Sequence, residues 1–236
     1  MKEIVKKCLG ELVVSCQAYP GTPFYGPENV KKFVECALWA KAKAVRCCWP
    51  QDIAAARSLD KDLIIIGITK AMGNDSEPDM NDIFITPTLE AAASCVEAGA
   101  NIVAFDSRIT AKRGKEELLK LWKDFSEKYP DVGIMADCAT FEECLFADQS
   151  GYVDIVANTL SGLVNPGMTG PDLDTIRKLK KVCRNPINGE GRIWDLRDLE
   201  AMNDAGADMI TIGTAITRPQ LVAQRFINHY NEIKKK

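Results

Sequence analysis

Two ionisable side chains stand where apolar runs end, a placement that delivers a charged group from a dry core into a solvent-filled mouth. Lys70 closes LIIIGITK at 63–70, and Glu190 closes PINGE at 186–190, one residue ahead of Gly191. A lysine with its ordinary pKa of about 10.4 is protonated at neutral pH. Desolvation or a neighbouring cation such as Arg46 can lower it toward a useful base, and the same amine can form a Schiff base. Glu190 is a candidate general acid or base. Each has an ordinary structural alternative: Lys70 as an exposed cation paired with an acidic neighbour, Glu190 as a buried carboxylate paired with Arg192. About twenty residues after Glu190 comes Asp208-Met209-Ile210-Thr211-Ile212-Gly213-Thr214-Ala215-Ile216. Read as the seventh and eighth strands of a barrel, these two segments lead into loops whose glycine amides and helix N-terminus commonly cradle a phosphate. A phosphorylated small molecule is the ligand they predict.

The rest of the inventory narrows the chemistry. The chain has one histidine, His229, between Asn228 and Tyr230 near the C-terminus, where a surface helix position is expected. That removes histidine triads, histidine metal sites and imidazole acid/base catalysis, so Lys, Glu, Asp and Arg must do the work. The nine cysteines, at 8, 16, 36, 47, 48, 95, 138, 144 and 183, contain no CxxC pair and no zinc-ligand spacing. Reduced thiols buried mostly in the core are expected.

The elements that must hold these residues form a repeated unit. Short β-rich apolar runs at 12–17, 44–48, 63–70, 101–106, 132–137, 153–158, 186–190 and 208–213 alternate with segments of helical spacing. Val30, Phe33, Val34, Ala37 and Leu38 make one apolar stripe, and Leu118, Leu121, Trp122 and Phe125 another. Thr140 with Glu143 fits a capping box, and Gly99, Gly151 and Gly206 each stand where a helix should stop. EAGANIVAFD and DAGADMITIG resemble each other, with QSGYVDIVAN a looser third copy, as repeated helix-glycine-strand units would. Eight strands alternating with helices predict an α/β fold, a single (β/α)8 TIM barrel forming one domain over residues 1–236. No glycine-rich dinucleotide fingerprint follows the first strand, which argues against an open sheet. IFITPT at 83–88 is read as part of a long active-site loop returning to the barrel.

In such a barrel the C-terminal ends of the strands carry the chemistry. Polar residues collect there: Gln17, Arg46, Lys70, Asp106, Asp137, Asn158 with Thr159, and Glu190. A salt-bridge role would explain any one of them; a ring of them at corresponding positions points to a site.

Bulk properties fit. The formal charge is −3, with 30 basic against 33 acidic side chains, so no nucleic-acid partner is expected. No apolar run reaches the roughly 18 residues of a membrane span, and MKEIVKKCLGEL lacks an apolar signal core. A soluble cytoplasmic protein with no membrane partner is expected.

The segments VSCQAYPGTPFY, ITPT, MADCATFEE, NTLSG, GEGRI and IGTAITRP occur in that order between residues 12 and 227. Together they resemble the N-acetylmannosamine-6-phosphate 2-epimerases of sialic acid catabolism, a family of phosphate-binding barrels. The resemblance implies an isomerase that interconverts N-acetylmannosamine 6-phosphate and N-acetylglucosamine 6-phosphate without cofactor or metal. It implies Lys70 and Glu190 as the proton-transfer groups, Gln17, Arg46 and Asp137 as residues holding the sugar, and Gly191, Gly213, Thr214 and Arg218 as the phosphate site. The chemistry suits these residue types. Once the sugar ring opens, the hydrogen on C2 is acidified by the C1 aldehyde, and the resulting anion must be held and reprotonated on its opposite face. The resemblance also implies a homo-oligomer, a dimer in its smallest form. The stripe Leu221, Val222, Phe226 and Ile227 could serve an interface between copies as well as the barrel wall, and the wall is the default reading.

The chain departs from the family pattern in places. Cys47-Cys48-Trp49-Pro50 follows Arg46 in place of a small polar turn, Ala71 follows Lys70 in place of an arginine, and the loop carrying Asp75, Glu77, Asp79 and Asp82 is longer. Two other classes use similar parts: a class I aldolase, in which Lys70 would form an imine with a keto substrate, and a non-catalytic barrel that binds sugar phosphates.

Overall fold

The computed structural model describes residues 1–72 and 82–235. Asp75, Glu77 and Asp79 of the longer loop lie outside the described residues. The apolar runs become parallel strands: β1 (Leu12–Cys16), β2 (Ala44–Cys48), β3 (Ile64–Ile68), β4 (Ile102–Asp106), β5 (Gly133–Asp137), β6 (Ile155–Ala157), β7 (Ile187–Glu190) and β8 (Met209–Ile212). They hydrogen-bond in chain order and close into a barrel, with Leu12 of β1 opposite Ile210 of β8 at the seam. The helices are α1 (Glu3–Cys8), α2 (Pro27–Trp39), α3 (Pro50–Arg57), α4 (Leu89–Glu97), α5 (Lys115–Lys128), α6 (Phe141–Gln149), α7 (Ser161–Val164), α8 (Leu173–Val182), α9 (Leu196–Asp204), α10 (Thr214–Thr217) and α11 (Pro219–Ile233). The expected (β/α)8 barrel is therefore present.

Strand alternation sorts the side chains into two layers. Val45, Cys47, Ile65, Val103, Phe105, Ile134 and Val156 join the helices in one buried cluster. Ala44, Cys48, Ile64, Ile66, Ile102, Ala104 and Met135 form a second, which also takes in Val5 and Cys8 of α1. Arg46 shares the parity of Ala44 and Cys48, and Asp137 that of Met135, so both are carried on the inner layer. Helix α9 rides so close to β7 that a Cβ on Gly189 would lie 2.4 Å from Met202 Sδ.

The helix punctuation is as read. Thr140 accepts from the Glu143 amide while the Glu143 carboxylate takes the Thr140 amide, a complete capping box at the start of α6. Gly99, Gly151 and Gly206 have φ of 107°, 78° and 100° at the stops after α4, α6 and α9. None of the nine cysteines is paired, and burial pushes the thiols of Cys8 and Cys95 up to about 12.

Two readings change. The strands end earlier than their apolar runs, so Gln17, Lys70, Asn158 and Thr159 lie just past strand ends. Between β3 and β4 the ladder is short: β3 meets β4 only through Ile66 and Gly67, and Lys70 instead makes an antiparallel bridge with Ile85 of the returning 83–88 segment. The second change concerns α11, which does not cover the wall. It buries no residue, and Phe226 and Ile227 are 73% and 59% exposed. A cavity of about 460 Å³ along β1 and α2, bordered by Leu12, Val14, Phe33 and Ile216, stays open instead. Apolar periodicity reports that a helix has a face to bury but not which surface buries it.

Candidate active site at the barrel mouth

Arg46 is the centre of the site. Its side chain is 1% exposed, and only buried carboxylates near it make that placement tolerable. Nη2 donates to Asp137 Oδ2 at 2.5 Å and Nη1 to Asp137 Oδ1 at 3.2 Å, a bidentate pair across the barrel from β2 to β5. Nη1 also donates to Glu190 Oε2 at 2.8 Å, reaching β7. Thr159, just after β6, donates its hydroxyl to Asp137 Oδ1 at 2.7 Å and lies 3.3 Å from Glu190 Oε2, and Asn188 Nδ2 donates to that same oxygen at 3.3 Å. Arg46 Nη1, Thr159 and Asn188 thus converge on Oε2, and among the described residues no donor engages Glu190 Oε1. Burial, first, and the nearby Asp137 charge raise the Glu190 pKa above the usual carboxylate value, while Arg46, Lys70 and the Thr159 hydroxyl pull it back. Glu190 therefore holds a proton more readily than a free glutamate. The alternative pairing of Glu190 with Arg192 is not formed; Arg192 donates to the Gly170 carbonyl at 2.8 Å and to Ser161 Oγ at 3.0 Å.

Lys70 approaches from the far side, since β3 and β7 are four strands apart in the closed ring. Its ammonium donates to the Tyr19 hydroxyl, and its backbone carbonyl accepts from Trp49 Nε1 at 3.2 Å. Lys70 and Glu190 both line a cavity of about 220 Å³, together with Gln17, Gly191, Gly213, Thr214 and Arg218. Arg46 and Thr159 face an adjoining space of about 510 Å³ that shares Gln17, Lys70, Glu190, Thr214 and Arg218. Gln17 donates to Ser15 Oγ at 2.7 Å, but its Oε1 is buried without a donor, an arrangement that calls for a ligand hydroxyl or amide.

At the β7–β8 end of the cavity Gly191 has φ 102° and Gly213 leads into α10, where its carbonyl accepts from the amides of Ile216 and Thr217. Thr217 Oγ1 donates to the Ser15 carbonyl at 2.6 Å, tying α10 to β1. The Arg218 guanidinium carbon stands 4.2 Å from the centroid of the Tyr19 ring, and no carboxylate among the described residues pairs with it.

Eight of the nine residues to which the family resemblance gives a role thus face one connected space. Asp137 does not: it is fully buried behind Arg46, and both of its oxygens are already taken. Tyr19 and Trp49 belong to the site although sequence reasoning gave them no role. Tyr19 lies two residues beyond Gln17 and Trp49 directly follows β2, positions equivalent to those that drew attention to the other residues.

Known proteins resemble this chain along most of its length. A family profile described as "Putative N-acetylmannosamine-6-phosphate epimerase" matches residues 30–232. A protein of Caldanaerobacter subterraneus subsp. tengcongensis, named "Putative N-acetylmannosamine-6-phosphate 2-epimerase", is 35% identical over 232 residues, covering 98% of this chain and 95% of that one. The solved N-acetylmannosamine-6-phosphate 2-epimerase from Clostridium perfringens is similar with a TM-score of 0.84 and 30% identity, over 96% of each chain. A structure described as "QR15, an Aldolase" has a TM-score of 0.64 at 17% identity, over 94% of this chain and 98% of that one, a likeness of fold alone. By the extent of the profile match and the identity to these relatives, the chain belongs to the N-acetylmannosamine-6-phosphate epimerase family.

Proposed function

We propose that the protein interconverts N-acetylmannosamine 6-phosphate and N-acetylglucosamine 6-phosphate by removing and replacing the proton on C2. The observation that carries this reading is the placement of Lys70 and Glu190 in one cavity, delivered from strands on opposite sides of the barrel. With the sugar open and its C1 aldehyde exposed, the Glu190 carboxylate takes the C2 proton and the C2–H electron pair moves to the C1 oxygen as an enolate. The Lys70 ammonium then gives a proton to the opposite face, and solvent resets both groups. In the reverse direction the neutral Lys70 amine takes the proton and protonated Glu190 returns one. The step balances with these two side chains and water alone. Arg46, fixed 2.8 Å from Glu190, supplies positive charge where the anion develops.

In this reading Gln17 and Arg46 hold the sugar, Asp137 acts through Arg46, and Gly191, Gly213, Thr214 and Arg218 hold the 6-phosphate, which anchors and orients the substrate. The protein works in the cytoplasm as a homo-oligomer, a dimer in its smallest form, in which a neighbouring copy covers the apolar face of α11. The exposure of Phe226, Ile227 and Tyr230 supports that assembly. Among the described residues no helix is long and apolar enough to cross a membrane.

Incubation with N-acetylmannosamine 6-phosphate in heavy water, followed by NMR at C2, tests the reaction. Deuterium must appear at C2 of the product, and epimerisation with retention of the original hydrogen would rule the mechanism out. A Lys70 adduct trapped by borohydride in the presence of substrate would favour an aldolase instead.

A further inference from the structure

Tyr19 touches both ends of the site. Its hydroxyl accepts from the Lys70 ammonium, whose nitrogen is 4.7 Å from the ring centroid, while the Arg218 guanidinium lies at 4.2 Å over the same ring. A guanidinium stacked on an aromatic face keeps its in-plane N–H donors free, so the ring holds Arg218 in place without occupying the groups that bind an anion. Tyr19 is itself 7% exposed and held by Trp49, whose ring meets it edge to face at 6.2 Å. Trp49 in turn donates Nε1–H to the Lys70 carbonyl and packs edge to face on Tyr25 at 6.1 Å. Its backbone sits at φ 69°, a conformation that a bulky side chain adopts only when its surroundings enforce it. The strained turn after β2 thus places an indole where it fixes Lys70 from the backbone side and Tyr19 from the ring side.

We infer that Tyr19, backed by Trp49, is a positioning residue that couples the anion-holding Arg218 to the proton-transferring Lys70. The inference rests on the proposed epimerisation for its kinetic readout but not for its binding readout. The hydroxyl and the ring do separate jobs, and two substitutions separate them. Tyr19→Phe removes only the acceptor for Lys70, so kcat on N-acetylmannosamine 6-phosphate should fall about tenfold or more with KM within about twofold. Tyr19→Leu removes the ring as well, so it should show the same loss in kcat with KM raised about three- to fivefold. Trp49→Phe keeps an aromatic ring but loses the donor to Lys70, and should lower kcat with KM unchanged. Inorganic phosphate, titrated by calorimetry, should bind Tyr19→Phe as it binds the wild type and bind Tyr19→Leu about three- to fivefold more weakly. Wild-type kcat in Tyr19→Phe would overturn the link to Lys70, and equal phosphate affinity in Tyr19→Leu would overturn the link to Arg218. Should the wild type fail to epimerise, the functional reading fails, and the phosphate titrations alone still decide the Arg218 half of the inference.

Discussion

Replacing Arg46 by methionine tests the electrostatic logic of the site most directly. The substitution keeps an unbranched apolar stem beside Met135, whose sulfur lies 4.0 Å from Arg46 Nη1, and removes the cation that Asp137 and Glu190 share. Asp137 is fully buried and the Glu190 side chain is only 14% exposed, so two carboxylates are left close together without compensation. Removing one partner of a buried ion pair costs about 3–5 kcal/mol, which in a chain of this size lowers Tm by roughly 6–20 °C. The cost depends on pH in a definite sense. Burial already raises the Glu190 pKa, and without the guanidinium it lies further above its unfolded value, so the folded state binds the extra proton and the deficit shrinks at low pH. As pH rises through the folded pKa that relief is lost and the deficit grows. Urea denaturation of wild type and Arg46→Met at pH 5.5 and pH 8 measures both quantities. The deficit should be clearly larger at pH 8, and adding Asp137→Asn and Glu190→Gln should recover most of it, because the unpaired charges are then gone. A loss below about 1 kcal/mol, or one of equal size at both pH values, would refute the reasoning.

Three further outcomes follow from the same geometry. Lys70→Ala and Glu190→Ala should each reduce turnover by about 10²–10⁴ while inorganic phosphate still binds; near-wild-type turnover in either would remove that residue from proton transfer. Asp52, on α3, is buried with neither carboxylate oxygen partnered, and burial pushes its pKa up to about 7. The folded state therefore favours the protonated acid, and wild-type stability should decline as pH rises from about 4 to 7, the window between the unfolded and folded values. Asp52→Asn should flatten that slope, and parallel Tm profiles for the two proteins between pH 5 and 8 would contradict the assignment. Gly189→Ala should destabilise by about 1–3 kcal/mol in denaturant melts, because its methyl would press into Met202; an unchanged midpoint would mean that α9 yields freely.

The barrel was legible because its strands are short apolar runs alternating with helical stripes, with glycine stops at Gly99, Gly151 and Gly206 and a capping box at Thr140, all signals local to about ten residues. Strand-end position was legible too, for Arg46 and Asp137 among others. What it could not convey was depth: Asp137 and Gln17 look alike as polar strand-end residues, yet one lies behind the guanidinium and the other on the cavity. That difference depends on which side chain crosses the barrel to meet them, a tertiary fact. The roles of Tyr19 and Trp49 were hidden for the same reason. The contacts that define them bring together positions 19, 49, 70 and 218, and no local pattern records such a meeting. For α11 the amphipathic pattern was correct, but its default partner, the chain's own wall, was not.

The bond from Thr217 to the Ser15 carbonyl joins residues 202 positions apart, at the seam where β8 meets β1. The seam is therefore closed last in synthesis and is the place where the ring can reopen without breaking any pairing between neighbouring strands in sequence. Ser15, Gly213 and Thr217 all border the cavity beside that seam. An anion held there would bind the closed ring and not the opened one, so its free concentration should set how often the barrel unzips. Amide exchange along β1 and β8 should then slow as phosphate is added, while exchange in β4 and β5, on the far side of the ring, stays at its own pace.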